Sequence, residues 1–291
     1  MSPHPLMGEA RPGLSSRPIT APSIRSFAHV ARRALLVRSN WLLAPQAVLG
    51  AEELSRVQEA AERFLSTPEE DLPPGYTIRD KAYHHAIGFD RVIDELTVHP
   101  RLWPIIREFT NDRPQMSGSG ITVDRQGEGS LQLHCAREDW GFDAARYECR
   151  KGRIYCNDFV AFYYLTEVRP GDGGLVVVPG SHKSNFERPA TMFDNGKPDA
   201  EIPAGVVNIT PDAGDVVLFS ELLSHGVRTW RCADRERRMI NFRYKMQHRG
   251  YEHRFEEGLK SLLPPELLEL VQDGDLLQHK EIGKTDRVEL S

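Results

Sequence analysis

Gly171-Asp172-Gly173-Gly174-Leu175-Val176-Val177-Val178-Pro179-Gly180-Ser181-His182-Lys183 sets a short apolar, β-branched run between a glycine-rich turn and a Pro-Gly turn. A run that brief, fenced by breakers on both sides, reads as a buried strand rather than a helix. Gly173 and Gly174 read as positions of backbone conformation. Pro179–His182 reads as a turn, with His182 structural or substrate-side and not a metal ligand. The same texture extends in both directions: Ile121–Val123, Ser130–Cys135, Ile154–Thr166, Val206–Ile209, Val216–Phe219 and Arg238–Tyr244 are short runs bounded by Gly, Pro or Asp. Many short strands separated by turn signals predict a sandwich or barrel. Before them come a strand within Trp41–Val48, a helix over Ala51–Leu65 with Leu54, Val57, Ala61 and Leu65 on one face, the segment Ile87–Val98, and a second helical segment near Arg101–Phe109. After Arg249 the pattern returns to helix, at Leu259–Leu263 and Pro265–Gln272, and ends in a charged tail. No internal repeat is present. The expected fold class is mainly β with covering helices (α+β), the helices lying on one face of a double-sheet core.

The bulk composition narrows the function classes. The chain has 291 residues, 40% of them hydrophobic, and a formal net charge of −5. That balance, with no Lys/Arg stripe interleaved with aromatics, argues against nucleic acid as a partner. No window reaches the roughly 18 apolar residues of a membrane span, so no membrane partner is expected, and nothing in the sequence sets an oligomeric state. Cys135, Cys149, Cys156 and Cys232 form no C-x-x-C pair and no zinc spacing, which predicts free thiols in a reducing compartment and a cytoplasmic location. Residues 1–38 are rich in Pro, Ser and Arg, with Glu9 the only acid before Asn40. Such a segment buries little surface and is expected to be a flexible tail, ahead of a domain over residues 39–291. Its Arg-rich, acid-poor character also matches a transit peptide, which would make the location organellar.

The chemistry gathers around Leu131-Gln132-Leu133-His134-Cys135-Ala136, Ser224-His225-Gly226 and Arg237. On a strand Gln132, His134 and Ala136 share one face. A non-haem iron(II) oxygenase needs two neutral imidazoles and a carboxylate on one octahedral face. It also needs a buried cation for the far carboxylate of 2-oxoglutarate, and the guanidinium fork of arginine suits that role. His134, His225 and Arg237 follow one another in the order such a site would use.

Several separate blocks now carry a resemblance. The run Gly171–Lys183, then Ala213-Gly214-Asp215-Val216-Val217-Leu218-Phe219, then His225, then Arg237-Arg238 through Tyr244, together with the opening Trp41–Leu65, resemble the phytanoyl-CoA dioxygenase family over roughly residues 40–250. The resemblance implies a double-stranded β-helix, a jelly-roll core with helices packed on its major sheet, followed here by a C-terminal helical extension. It implies iron(II) and 2-oxoglutarate as cofactors, with ascorbate as an accessory reductant, and hydroxylation of a small molecule with O2. His134 and His225 are then the metal ligands. By period, Arg238, Ile240, Phe242 and Tyr244 form the more apolar face, which would turn Arg238 inward; the family motif instead places Arg237, seven residues before Tyr244, against the cosubstrate. Gln132 and Asn157 are candidates for cosubstrate hydrogen bonds, or else lining residues satisfied by their neighbours. Segments Tyr83–Asp90 and Ser184–Lys197 are expected to shape the substrate pocket.

One position departs from the family pattern. Asp or Glu is usual two residues after the first histidine, and this chain has Ala136 there. Glu138 would sit about 6.6 Å further along a continued strand, and Asp139 would face the wrong way. Either serves only if the chain turns sharply after Ala136. Three outcomes stand open: hydroxylation, which leads; radical halogenation with chloride in the vacated position, as in related halogenases that carry Ala or Gly there; and a non-catalytic binding protein on the same core.

Overall fold

In the computed structural model the alternation of Arg238, Ile240, Phe242 and Tyr244 becomes one face of a strand over Arg237–Met246, with Ile240, Phe242 and Tyr244 wholly buried. The structure describes residues 42–43, 47–73, 76–79, 82–137, 145–184, 188–189, 192, 201–247, 255–275 and 277–291. Among them the strands are β1 (Leu42–Leu43), β2 (Thr77–Arg79), β3 (Ala82–His84), β4 (Pro114–Asp124), β5 (Leu131–His134), β6 (Tyr147–Arg150), β7 (Arg153–Cys156), β8 (Asp158–Tyr164), β9 (Gly174–Val177), β10 (Val207–Asn208), β11 (Val216–Ser220), β12 (His225–Arg228) and β13 (Arg237–Met246). The helices are α1 (Ala51–Ser66), α2 (Arg91–Leu96), α3 (Trp103–Phe109), α4 (Glu257–Lys260), α5 (Pro265–Val271) and α6 (Glu281–Lys284).

The strands assemble into a seven-stranded sheet, β1-β11-β8-β13-β4-β3-β2, a four-stranded sheet, β10-β9-β12-β5, and the hairpin β6-β7. Every pairing in the two larger sheets is antiparallel. Antiparallel strands can turn one face to apolar packing and the other to polar work, and the seven-stranded sheet does so. On its outer face Tyr163 and Tyr244 donate their hydroxyls to the carbonyls of Leu96 and Thr97, each at 2.7 Å, tying the sheet to the end of α2. Helix α1 lays Val57, Ala60, Ala61 and Phe64 onto the core, a stripe at helical spacing. Its acids Glu52 and Glu53 sit in the first turn, where they favour the helix dipole. It ends at Ser66 because Thr67 precedes Pro68, and a residue before proline is pushed out of the helical region. Arg238 lies on this outer face and pairs with Glu62 of α1 at 2.5 Å.

The inner face is different. Arg237, next to Arg238 and therefore pointing the other way, reaches toward Gly174 of the four-stranded sheet. Phe219 of β11 meets His225 of β12 with ring centroids 4.9 Å apart. The polar residues of interest therefore lie between the two sheets, and the helices lie outside.

Several expectations need adjusting. Of Trp41–Val48, Leu42 and Leu43 form a strand, paired to Phe219 and Leu218, Ala47 and Val48 lie in a turn, and the rest lies outside the described residues. Ile154–Thr166 is two strands broken at Asn157. Strands β2, β3, β6 and β12 and helix α6 were not read from sequence; β12 contains His-Gly and the others are short or polar, so none shows a clear period. Residues 1–38, Glu138 and Asp139 lie outside the described residues, as does most of Ser184–Lys197. All four cysteines are free thiols, and no helix among the described residues is long and apolar enough to cross a membrane.

Candidate active site

Strands β5 and β12 pair so that His134 and His225 are direct cross-strand partners. Their ring centroids are 4.2 Å apart. Each imidazole is oriented in the same way: Nδ1 of His134 bonds the carbonyl of Gln132 at 2.8 Å, and Nδ1 of His225 bonds that of Leu223 at 2.7 Å. A carbonyl oxygen can only accept, so both Nδ1 atoms carry a proton, and in the neutral ring the lone pair is then on Nε2. That tautomer, set by a backbone carbonyl, is the one a metal-binding histidine needs. His225 is buried and His134 half-buried.

The turn motif downstream of β9 braces the second histidine. Val178 donates its amide to the carbonyl of Ser224 at 2.9 Å, and the Ser181 hydroxyl accepts from the amide of Ser224 at 2.7 Å. His182, in the 3-10 turn Ser181–Lys183, packs edge-on against Tyr147 with centroids 5.0 Å apart. Burial, reinforced by the neighbouring Lys183, pushes its pKa down to about 3, so its ring stays neutral near pH 7. Gly173, just before β9, is required by close approach, and Gly174, the first residue of β9, by its φ of +80°. Gly173 has φ +106° and a side chain there would sit 2.2 Å from the Thr229 carbonyl; at Gly174 it would sit 3.4 Å from Nη1 of Arg237.

Arg237 is 2% exposed and is held by Asp124, whose Oδ2 accepts from Nε at 2.6 Å and also pairs with Nη2. Among the described residues its third nitrogen, Nη1, is buried without a hydrogen-bond partner. The hydroxyl of Tyr164 is buried beside the same guanidinium; burial raises its pKa to about 12 while the charge of Arg237 opposes the rise. A buried donor without an acceptor is costly, on the order of 1–3 kcal/mol, and its presence suits an acidic ligand that arrives later. Arg238, the competing candidate, is on the helix-covered face. A groove there, lined by Gln58, Glu62, Thr166, Glu236 and Arg238, shares no residue with the histidine pair.

The remaining candidates are placed less centrally. Gln132 has an exposed side chain, and its contribution visible here is the carbonyl that orients His134. Asn157 accepts from the Arg146 amide through Oδ1 at 2.7 Å and donates its own amide to the Arg146 carbonyl at 3.3 Å. Its side-chain oxygen thus serves the backbone before β6. Ala136 does not continue the His134 face, because β5 ends at His134 and the chain turns into a helical turn at Ala136. The Ala136 methyl packs with Ala145 and Leu222 in a small apolar cluster, and its amide donates to the Glu221 carbonyl at 2.8 Å.

Glu221 was missed in the sequence. It is 3% exposed, its Oε2 lies 3.8 Å from Nε2 of His225, and its Oε1 pairs with Arg243. A signal existed: Glu221 is the only charged residue between Val216 and His225, and it falls on the Val217–Phe219 side of the alternation. Among the described residues no group of three or more His, Cys, Asp and Glu side chains is placed to hold a metal ion. The donors still fit iron(II) with 2-oxoglutarate: two oriented imidazoles, and a buried guanidinium nitrogen lacking an acceptor.

Solved structures similar to this one support the fold. HygX from Streptomyces hygroscopicus, with nickel and 2-oxoglutarate bound, is 19% identical and superposes with a TM-score of 0.63 over 80% of this chain and 98% of its own. The α-ketoglutarate-dependent epimerase SnoN from nogalamycin biosynthesis is 17% identical, with a TM-score of 0.58 over 86% and 96%. EctD from S. alaskensis is 20% identical, with a TM-score of 0.59 over 85% and 88%. Among curated proteins none matches the chain in sequence. The phytanoyl-CoA dioxygenase family model matches residues 38–239, more than half of the chain. With that match and the histidine pair in place, the chain belongs to the phytanoyl-CoA dioxygenase family and is an iron(II)/2-oxoglutarate-dependent dioxygenase, an oxidoreductase.

Proposed function

We propose that the protein hydroxylates a small molecule, with His134 and His225 holding iron(II) and Arg237 binding 2-oxoglutarate, on a double-stranded β-helix spanning residues 39–291. The observation that carries this reading is the matched pair of cross-strand imidazoles, each with Nδ1 tied to a backbone carbonyl, which makes Nε2 the nitrogen that would coordinate. When bound, iron(II) and 2-oxoglutarate activate O2 for oxidation of the substrate, 2-oxoglutarate leaving as succinate and carbon dioxide.

The chain's own residues bind and orient. Nη1 of Arg237 offers a charge-assisted hydrogen bond to the far carboxylate of 2-oxoglutarate, while Asp124 fixes the guanidinium plane through its other two nitrogens. Phe219, backed by Phe162 with centroids 5.1 Å apart, walls the second histidine with apolar surface and keeps bulk water from that side of it. Gln132 stands near the open side of His134, and its side chain is the candidate there for a cosubstrate or substrate hydrogen bond.

Halogenation is the second reading, favoured by one observation: β5 supplies no carboxylate, since Ala136 takes that position. Succinate formation from 2-oxoglutarate should need iron(II), His134 and His225, and Arg237→Gln should raise the KM for 2-oxoglutarate at least about tenfold, the loss of one charge-assisted bond. Succinate formed as fast by His134→Ala and His225→Ala as by the natural chain would refute the assignment. Dependence of turnover and of the visible charge-transfer band on chloride would replace hydroxylation by halogenation.

A further inference from the structure

We propose that Arg243 anchors the substrate, and that the substrate is a small organic acid whose carboxylate lies along the Nε–Nη2 edge of that guanidinium. The inference rests on the iron(II)/2-oxoglutarate reading above and names the class of molecule brought to the histidine pair. On β13 every second side chain from Arg237 to Lys245 points inward, because Phe242 and Tyr244 between them pack outside. Met239 and Lys245 are buried on that inner face, whereas Asn241 and Arg243 are half-exposed. Their cross-strand partners on β4 are Gly120 and Gly118, which share the face and bring no side chain into the space between the sheets. Gly118 is itself partly exposed. Two inward glycines beside two half-exposed polar residues make an open floor.

The floor runs up to the histidines. Phe219, Val160, Arg243 and Gly118 are successive cross-strand partners in one row, and the Phe219 ring stands against His225. The stem of Arg243 crosses Gly118, where a Cβ would sit 3.6 Å from Cδ of the arginine. At its tip Nη1 pairs with Oε1 of Glu221, whose Oε2 is 3.8 Å from Nε2 of His225. Among the described residues Nε and Nη2 of Arg243 make no hydrogen bond, and the side chain is 40% exposed. An edge of two parallel N–H groups matches a carboxylate. The pattern is that of Arg237 repeated six residues on: an acid holds the guanidinium, and what remains faces the space between the sheets. Asp158 as well as Glu221 lies near Arg243, so the single charge of a carboxylate suits this edge better than the double charge of a phosphate. Asn241 donates Nδ2 to the Gly120 carbonyl at 3.2 Å, which leaves Oδ1 to accept from a hydroxyl or amine of the same molecule.

Ligand-observed NMR on the full-length apoprotein tests this, using a panel of aliphatic, aromatic and amino acids, each matched by its primary amide. The best-bound acid should bind on the order of tenfold more tightly than its amide, and should stimulate succinate formation once iron(II) and 2-oxoglutarate are supplied. Arg243→Lys keeps a charge beside Glu221 but loses the fork. It should abolish the preference for acid over amide and leave the KM for 2-oxoglutarate unchanged, while Arg237→Gln should do the reverse. Should Arg243→Lys fail to fold, Asn241→Ala should weaken the acids that carry a hydroxyl or amine and spare those that do not. A natural chain that binds no acid better than its amide would overturn the anchor, as would a preference that survives Arg243→Lys or is lost in Arg237→Gln. With succinate formation still dependent on His134 and His225, only the anchor would fall. Acids bound through Arg243 with succinate formed equally by His225→Ala would overturn the iron reading and leave the anchor standing.

Discussion

Arg237 and Asp124 form a buried ion pair on the inner face, 2% and 3% exposed as residues. Two opposite charges out of water are tolerable together, and either alone is not: breaking one side of such a pair costs about 3–5 kcal/mol. Arg237→Ala should therefore lower the unfolding free energy by roughly that amount, and Arg237→Met combined with Asp124→Leu should recover most of it. Urea midpoints of the single and double variants measure this; an additive double variant would show that the pair does not behave as a unit. Arg237→Lys is not conservative here, because a point charge cannot serve Asp124 through two nitrogens and still present a third. At this scale the sequence left two adjacent arginines in contention. Alternation says only that they face opposite ways, and the apolar stripe of Arg238, Ile240, Phe242 and Tyr244 looked inward. It is the outer face, apolar because helices cover it.

At the scale of elements, the segment Gly171–Val178 shows why glycine is placed twice. Gly173 sits at φ +106° against the Thr229 carbonyl, 2.2 Å from where a Cβ would lie. That neighbour is backbone just past β12, whose last residue Arg228 is paired to Gly174, and it cannot step aside. Gly173→Ala should destabilise by about 2–4 kcal/mol through strain and steric displacement, seen as a lower denaturant midpoint, and should misplace β12 and hence His225. A variant as stable as the natural chain would mean that the β9–β12 packing yields easily. Strands β8, β9, β11 and β13 were legible from pattern because both faces or one whole face are buried. β12 was not: Ser224-His225-Gly226 carries neither propensity nor alternation, and its strand identity comes from its neighbours β5 and β9. Glu221 was overlooked for a related reason. Reading ligands by their offset from His134 searched along one strand, whereas Glu221 comes to His225 from just past β11.

Across the whole molecule the seven-stranded sheet divides labour between its faces, with helices and aromatic packing outside and charged, oriented side chains inside. The paired histidines do not sit symmetrically in that arrangement. His225 is on β12, flanked by β9 and β5, while His134 is on β5, which is the margin of the four-stranded sheet and has exposed Leu131 and Gln132. A marginal strand is bonded on one side only and opens more readily than its interior neighbours. An ion shared by the two imidazoles therefore clasps a loose border to a fixed interior. Amide hydrogen exchange at residues 131–134 should slow when cobalt(II) or iron(II) is added and quicken when it is stripped, with β8 and β13 hardly affected; equal rates in both states would mean the border is already fastened. Occupancy of the centre would then be written into the local mobility of one short strip of chain, and a starved protein would differ from a loaded one in how its rim breathes.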